Sequence, residues 1–499
     1  MKILSADQIR KADQYTIKNE PISSVDLMER AVTNAKLAMP IFYINQKILI
    51  VCGLGNNGGD GLVIARHYSD QDEVEVVVLN FNDQYSDDFK TNFERLKECN
   101  VKITTIKSAD EFEINEPDFI IDAIFGSGLN RPVEGFPAEV IEKLNNYEAK
   151  RLAIDIPSGL FADDNDENDG TIFKADETIT FQLPKLSFQF AEYAEFVGDV
   201  TVLDIGLLKS FIEDEKTDHE VLTERGARKI LRNRKGFSHK GTYGHALITA
   251  GGKGKVGAAV LSSKAALKSG AGLVTAHIPR CGYDVMQTAI PEVMCIVDSG
   301  DECLKDDIDY SNFNAVGVGP GIGHHEETRF VVEELIKTTE KPLVLDADAL
   351  NLLSEHPQWL DHLPKGSILT PHPGEFKRLF GEINKPIKRL EKIKDWCSKT
   401  ECYLLYKDHI SFLVTPERKV FFNSTGNSGM ATGGSGDVLT GIITGLLAQK
   451  YSSFQAALLG MFVHGKAGDA ALEKESFESL TASDIINNLG EAFKSIRHE

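Results

Sequence analysis

The chain has 499 residues, 42% hydrophobic and 26% charged, an ordinary globular composition that excludes a largely disordered, collagenous or fibrous protein. That length exceeds one ordinary domain, so two large or three ordinary domains are expected. Lys and Arg number 54 against 75 Asp and Glu, a formal charge of −21, which argues against non-specific binding to nucleic acid or anionic membranes. A local basic pocket for a phosphorylated small molecule stays compatible with that charge.

The N-terminal stretch MKILSADQIRKADQY lacks an apolar core ahead of its charges, and no apolar run reaches ~18 residues. Neither a secretory signal nor a membrane span is expected, and the protein is placed in the cytoplasm. Seven cysteines (Cys52, Cys99, Cys281, Cys295, Cys303, Cys397, Cys402) are odd in number and lack CxxC spacing. Reduced thiols are expected, rather than a disulfide framework or a zinc site.

Along the chain, Ser5 and Gln8 form a capping-box pattern that opens a helix with Ile9 and Ala12 facing inward. A second helix begins near Ser24, with Leu27, Ala31 and Ala35 on one face. Short apolar runs then follow at 47–52, 75–79, 119–124, 152–156 and 178–183, with helix-like segments between the earlier ones. This alternation predicts a parallel sheet covered on both faces. Residues 209–220 are dense in charge and poor in core residues, and read as an exposed connector. Strand patterns resume at 245–249, 273–278, 315–318, 343–345, 368–369 and 403–405, with helices at 256–269, 326–337 and 439–449. The reading is α/β throughout, with domains at 1–212 and 216–499.

The first run ends in Gly53-Leu54-Gly55-Asn56-Asn57-Gly58-Gly59-Asp60-Gly61. It is neither a clean GxGxxG nor a Walker loop. Glycines between a strand and a helix let backbone approach a ligand, and the helix N-terminus offers amides to an anion. Asp122 ends another run before Gly126-Ser127-Gly128, and Asp155 ends a third before Ser158-Gly159. Ligands bind beyond the carboxyl ends of parallel strands, so Asn57, Asp122, Asp155 and Ser158 are expected around one crevice. Their oxygens suit an alkali or alkaline-earth cation, although any single Asp there can instead cap the next helix.

GNNGGDGLVIAR, IDAIFGSGLNRP, AIDIPSGL and TFQLPK, in this order, resemble the NAD(P)H-hydrate epimerase domain over nearly all of residues 1–210. The resemblance implies a Rossmann-like fold. It implies substrate contacts at Asn56, Asn57, Gly58, Gly59 and Asp60, at Gly126, Ser127, Gly128, Leu129, Asn130, Arg131 and Pro132, and at Asp155. It also implies K⁺ at Asn57, Asp122 and Ser158. Inverting the hydroxyl-bearing C6 of a hydrated nicotinamide needs an acid/base group, and Asp155 is the candidate. Lys185 reads equally as a partner of dinucleotide phosphates or as a surface lysine.

In the second half, Gly433-Gly434-Ser435-Gly436-Asp437 runs directly into a helical apolar pattern. It presents amides and a helix N-terminus to an anion, with one carboxylate in the first turn. That carboxylate is expected to act as a base kept ionised by the helix field. HKGTYG, GPGIG, LDADALN, TPHPGEF and GGSGD together resemble the ADP/ATP-dependent NAD(P)H-hydrate dehydratases of the ribokinase-like superfamily, over about 223–499. The chain as a whole is thus similar to the bifunctional NAD(P)H-hydrate repair enzymes. The resemblance implies two three-layer α/β/α domains and NADHX or NADPHX as substrates. It implies Asp437 as base, and Ala258, Gly321 and His372 with Asp437 at the hydrated dinucleotide. Nucleotide contacts are implied at Gly434, Ser435 and Gly436 and at Lys407, Asp408, His409, Ile410 and Ser411, with Mg²⁺ and ADP in preference to ATP. The 407–411 stretch departs from the family in its bulky Asp408-His409. Asp346 and Asp348 are left between ordering Mg²⁺-bound water and capping a helix, and His372 between substrate and a satisfied loop position. Assembly as a homo-oligomer is expected, with no nucleic-acid or membrane partner. The competing function is a vitamin-precursor kinase of the same superfamily carrying an N-terminal nucleotide-binding module.

Overall fold

The computed structural model describes residues 1–38 and 46–497, and the chain divides into two compact units, Met1–His219 and Glu220–Glu499. The last two positions of the expected 216–499 domain lie outside the described residues.

In the first unit the strands are β1 (Lys47–Cys52), β2 (Glu73–Leu79), β3 (Lys102–Ile106), β4 (Phe119–Ala123), β5 (Lys150–Ile154), β6 (Glu177–Phe181) and β7 (Asp199–Leu203). They form one sheet of order β3-β2-β1-β4-β5-β6-β7, every pair parallel. The run 3-2-1-4-5-6 is the doubly wound Rossmann order, which reverses between β1 and β4. β1 shows why its sequence is continuously apolar. Ile48, Ile50 and Cys52 enter a core with the helix Asn56–Tyr68, while Leu49 and Val51 enter a second core with the helix Gly135–Asn145. Helices on both faces complete the three layers.

The second unit contains β8 (His219–Leu222), which begins on the last residue of the first unit. It continues with β9 (His245–Thr249), β10 (Leu273–Ile278), β11 (Met294–Val297), β12 (Ala315–Val318), β13 (Leu343–Leu345), β14 (Ile368–Leu369), β15 (Tyr403–Tyr406), β16 (Phe412–Val414) and β17 (Val420–Asn423). The order is β11-β10-β9-β12-β13-β14-β15-β16-β17-β8. Pairs from β11 through β15 are parallel; β15–β16 and β16–β17 are antiparallel. Ala246 and Ile248 of β9 face a core built with the helices Val256–Lys268, Ser435–Ala448, Ser453–Ala471 and Ala482–Arg497. Leu247 alternates to the other face and is equally buried.

Three expectations need correction. The outer strands β3, β7, β8 and β11 carry no signal in the sequence reading, because strands at or next to a sheet edge are half solvated and need no apolar run: β3 and β7 are mostly exposed or half-buried. β16 and β17 were passed over because antiparallel additions interrupt the strand–helix rhythm. The stretch 209–220 is not simply a connector: it holds the helix Lys209–Asp214 and the start of β8.

The helix Asn56–Tyr68 packs so closely that a Cβ added at Gly61 would lie 2.7 Å from both Ala123 Cβ and Cys52 Sγ. Gly61→Val should therefore destabilise the first unit by about 1–3 kcal/mol, the usual cost of overpacking. Gly128→Ala, with open space around its Cβ, should change stability by less than about 0.5 kcal/mol. Urea unfolding of the two variants measures the contrast.

Candidate active sites

Where the strand order reverses, the chain leaves β1 and β4 on opposite sides of a crevice beyond their carboxyl ends. A cavity of about 710 Å³ opens there. Asn56, Asn57 and Asp60, the loop residues Gly126, Ser127, Gly128, Leu129, Asn130 and Arg131, and Asp155 all line it. Gly58 and Gly59 are buried in the helix and do not line it; a Cβ on Gly59 would meet Met28. Pro132 packs against Gly170. The structure adds Arg10 and Asp13, from the helix Ala6–Asn19. Asp13 was legible in principle, since it lies one turn beyond Ile9 on the helix face read as packing.

Asp155 follows β5 with φ 64°, a left-handed backbone that a non-glycine residue holds under strain. Lys185 is not a surface lysine, the second of its two readings. Its side chain is 1% exposed, with Nζ 2.7 Å from Asp155 Oδ1 and donating to Thr180 Oγ1 at 2.9 Å. Thr180 Oγ1 and the Phe181 amide also donate to Asp155 Oδ1, at 3.2 and 3.3 Å. Burial opposes ionisation of Asp155, but the Lys185 ammonium, with hydrogen bonds from Lys185, Ser127 and the Phe181 amide, outweighs it and holds the carboxyl below the ordinary range. Burial, then the Asp155 charge, pushes Asp13 up to about 7. The same causes raise Asp60 well above its usual value. One lowered and two raised carboxyls thus line a single cavity.

Beside this cavity, Asp122 accepts from the Ser158 hydroxyl at 2.6 Å, the Ser158 amide at 2.7 Å and the Ile124 amide at 3.1 Å. Ser158 Oγ in turn accepts from the Phe125 amide at 2.8 Å. Asn57 Nδ2 donates to the Phe125 carbonyl at 3.1 Å, while Asn57 Oδ1 is buried with no hydrogen-bond partner. The structure thus brings Asn57, Asp122 and Ser158 together around Phe125, with one orphaned oxygen. That donor set, one carboxylate among neutral oxygens, fits a weakly charged cation.

In the second unit the helix Ser435–Ala448 opens at Gly434, φ 90°, with Asp437 in its first turn. The helix is buried nearly all round. A Cβ on Gly441 would lie 2.1 Å from the Ser262 carbonyl oxygen, so this helix and Val256–Lys268 touch backbone to backbone. Lys407 Nζ lies 2.6 Å from Asp346 Oδ1, and Thr440 Oγ1 donates to Asp346 Oδ2 at 2.8 Å. A Cβ on Gly436 would meet Lys407 Nζ at 3.2 Å and Asp346 Oδ2 at 3.4 Å, so both charges stand against the amide turn. His464, half-buried, lies with Nε2 3.0 Å from the Ser435 carbonyl. Burial pushes this imidazole down to about 4, so it is neutral.

Asp437 reverses its expectation. Burial, then the neighbouring Asp346, pushes its carboxyl up to about 7 against the opposing Lys407. Desolvation of a partly enclosed carboxyl exceeds what the helix terminus returns. Asp346 caps nothing: it is held by Lys407 and Thr440. Asp348 Oδ2 accepts from the Gly323 amide at 2.9 Å and from Lys255 at 3.2 Å, tying the glycine loop 319–323 to the helix Val256–Lys268. Within that junction a Cβ on Gly321 would lie 3.1 Å from Ala258 Cβ, so those two residues are adjacent. His372 caps the helix Pro373–Phe380, its Nδ1 accepting from the Gly374 amide at 3.0 Å, with half of its side chain exposed. Lys407 alone of its stretch reaches the amide turn; Asp408, His409, Ile410 and Ser411 form the β15–β16 hairpin. The sequence reading missed Thr440 and His464, since a threonine and a histidine inside apolar helices look like packing.

A family model described as NAD(P)H-hydrate dehydratase matches residues 246–490, and one described as YjeF-related protein N-terminus matches 24–187. The chain is 34% identical to a bifunctional NAD(P)H-hydrate repair enzyme of Moorella thermoacetica, over 100% of this chain and 98% of that one. It is 32% identical to the Thermofilum pendens enzyme of the same name, over 100% and 97%. A solved Bacillus subtilis ADP/ATP-dependent NAD(P)H-hydrate dehydratase, co-crystallised with ATP/Mg²⁺, is 29% identical over 56% of this chain and 98% of that one, with a TM-score of 0.48. With both halves matched in order and the whole length covered, the chain belongs to the family of bifunctional NAD(P)H-hydrate repair enzymes.

Proposed function

We propose that the first unit interconverts the C6 epimers of NADHX and NADPHX, and that the second dehydrates the S epimer to NADH or NADPH using a nucleotide. The observation that carries this is the pairing of two sites in one chain, each with its own amide turn, carboxyls and an ion-paired lysine, buried in the first and half-buried in the second.

In the epimerase cavity Asp155 is ionised and suits the base. It takes the C6 hydroxyl proton, the C6–N bond opens as the carbonyl forms, and the ring nitrogen receives a proton. Asp13, pushed up to about 7, is a carboxyl able to carry that proton. Reclosure on the opposite face reverses each transfer and inverts C6. K⁺ would be held by Asn57, Asp122 and Ser158, and would supply a fixed positive charge beside the substrate.

In the dehydratase site Asp437 accepts the C6 hydroxyl proton as that oxygen attacks the terminal phosphorus of the nucleotide. The Gly434, Ser435 and Gly436 turn and Lys407 receive the phosphoryl charge. The ring nitrogen then expels phosphate, and loss of a C5 proton restores the reduced nicotinamide. Mg²⁺ would enter with the nucleotide phosphates and offset their charge near Asp346. ADP is the proposed donor in preference to ATP; hydroxide leaves poorly, and phosphate leaves well.

Mixed NADHX epimers incubated with ADP or ATP, followed at the reduced-nicotinamide absorbance, test the whole reading. Nucleotide-dependent recovery of NADH is expected; accumulation of a stable phosphorylated product would support the kinase alternative. Asp437→Asn should lower dehydration by ~10²–10⁴ while epimerisation continues. Because the Asp437 carboxyl sits at about 7, dehydration kcat/KM should fall as pH drops below about 7, and Asp437→Asn should lose that limb.

Lys185→Met would leave Asp155 buried without its cation. A broken buried pair costs about 3–5 kcal/mol. The lowered Asp155 carboxyl stabilises the fold above the ordinary carboxylate range and loses that contribution as pH falls through its folded value, so the deficit should shrink in acid. The acid limb of epimerisation should move to higher pH; an unmoved limb would separate Lys185 from the chemistry.

Replacing K⁺ by a bulky organic cation should slow epimerisation and leave dehydration unchanged. An octahedral ion at ~2.1 Å in a difference map at Asn57 and Asp122 would mark Mg²⁺ instead.

A further inference from the structure

Next to the glycine loop 319–323, and using none of the residues placed in either site, Cys303, His325 and Glu327 bring a thiol sulfur, an imidazole nitrogen and a carboxylate oxygen within 4.8 Å of one another. The segments that carry them are fixed beforehand. Asp298 accepts from the amides of Gly300 at 2.6 Å, Lys305 at 3.0 Å and Asp306 at 2.9 Å, and lies 3.1 Å from His277 Nε2. Those bonds fold the turn that carries Cys303. Thr328 Oγ1 donates to the Leu304 carbonyl at 3.3 Å, which ties that turn to the helix Glu326–Thr338, whose N-cap is His325. Cys303 is 6% exposed, whereas His325 and Glu327 are open to solvent.

Zinc bonds of about 2.0–2.3 Å to sulfur, nitrogen and oxygen place neighbouring tetrahedral ligands roughly 3.5 Å apart. Closing from 4.8 Å asks for a shift of about 1 Å, within rotamer reach of two exposed side chains. Lys305 Nζ lies 3.5 Å from Glu327 Oε1, but the two side chains are 46% and 49% exposed, and such a surface pair opposes a metal only weakly.

We propose that Cys303, His325 and Glu327 bind one transition-metal cation of the Zn²⁺ class, with the fourth position open to water. A mixed sulfur, nitrogen and oxygen set selects against K⁺ and Mg²⁺. On binding, the Cys303 S–H bond breaks, its proton passes to solvent, and the thiolate forms the metal–sulfur bond without redox change. The site escaped the sequence because it uses one cysteine, with its partners on a different segment, and so shows no CxxC spacing.

Titration of the reduced full-length protein with Co²⁺, followed by displacement with Zn²⁺, tests this. One equivalent should give a thiolate-to-cobalt charge-transfer band. Cys303→Ser should abolish the band, and His325→Ala, at an exposed position, should weaken Co²⁺ binding by ~10-fold or more. Cys99→Ser, at a cysteine of the first unit, should leave both unchanged. A band that survives Cys303→Ser, wild-type affinity in His325→Ala, or no band at one equivalent would each overturn the assignment.

Discussion

Taking an ammonium out of water costs several kcal/mol; this chain does so fully at Lys185 and in part at Lys407. Lys185 is 1% exposed beside Asp155, and Lys407 is 18% exposed beside Asp346. Lys185 holds Asp155 low, while burial first, and a neighbouring carboxylate second, raises Asp13, Asp60 and Asp437. Asp155 is the winner in the first cavity, so Asp13 and Asp60 are left to hold protons. In the second site Lys407 is committed to Asp346, which leaves Asp437 poised near neutrality.

The two sheets place these lysines in comparable ways. In each unit the chemistry gathers beyond the carboxyl ends of parallel strands: Asp155 after β5, Asp346 after β13, Lys407 after β15. Backbone groups there have left the ladder and are free to face a ligand. Helices that start at the same level, at Asn56 and Ser435, add amide-rich turns.

Much of this was legible in the sequence. The central strands declared themselves because both faces of the sheet are covered, as the split of Ile48 and Ile50 from Leu49 and Val51 shows. β3 and β11 did not, because an edge strand needs no continuous apolar run. The glycine turns and Asp155, Asp437, Asn57, Asp122 and Ser158 could be named, since strand ends and glycines mark them. The protonation states could not, because they depend on partners far off in sequence. Lys185 sits under Asp155 and Thr440 under Asp346, and a lone lysine or threonine gives no hint of what it will touch. The expected charge on Asp437 failed for the same reason: the helix terminus is visible in the sequence, and the depth of burial is not.

The contact of Gly441 with the Ser262 carbonyl has a bearing on how such an enzyme can change over time. It clamps the helix carrying Asp437 against its neighbour, so the turn that opens this helix has almost no room to drift. The hairpin of Asp408, His409, Ile410 and Ser411 joins two antiparallel strands and presents His409 to solvent. Substitutions are cheap there. A lineage could therefore vary this hairpin freely, while the turn that carries Asp437 stays fixed in the interior.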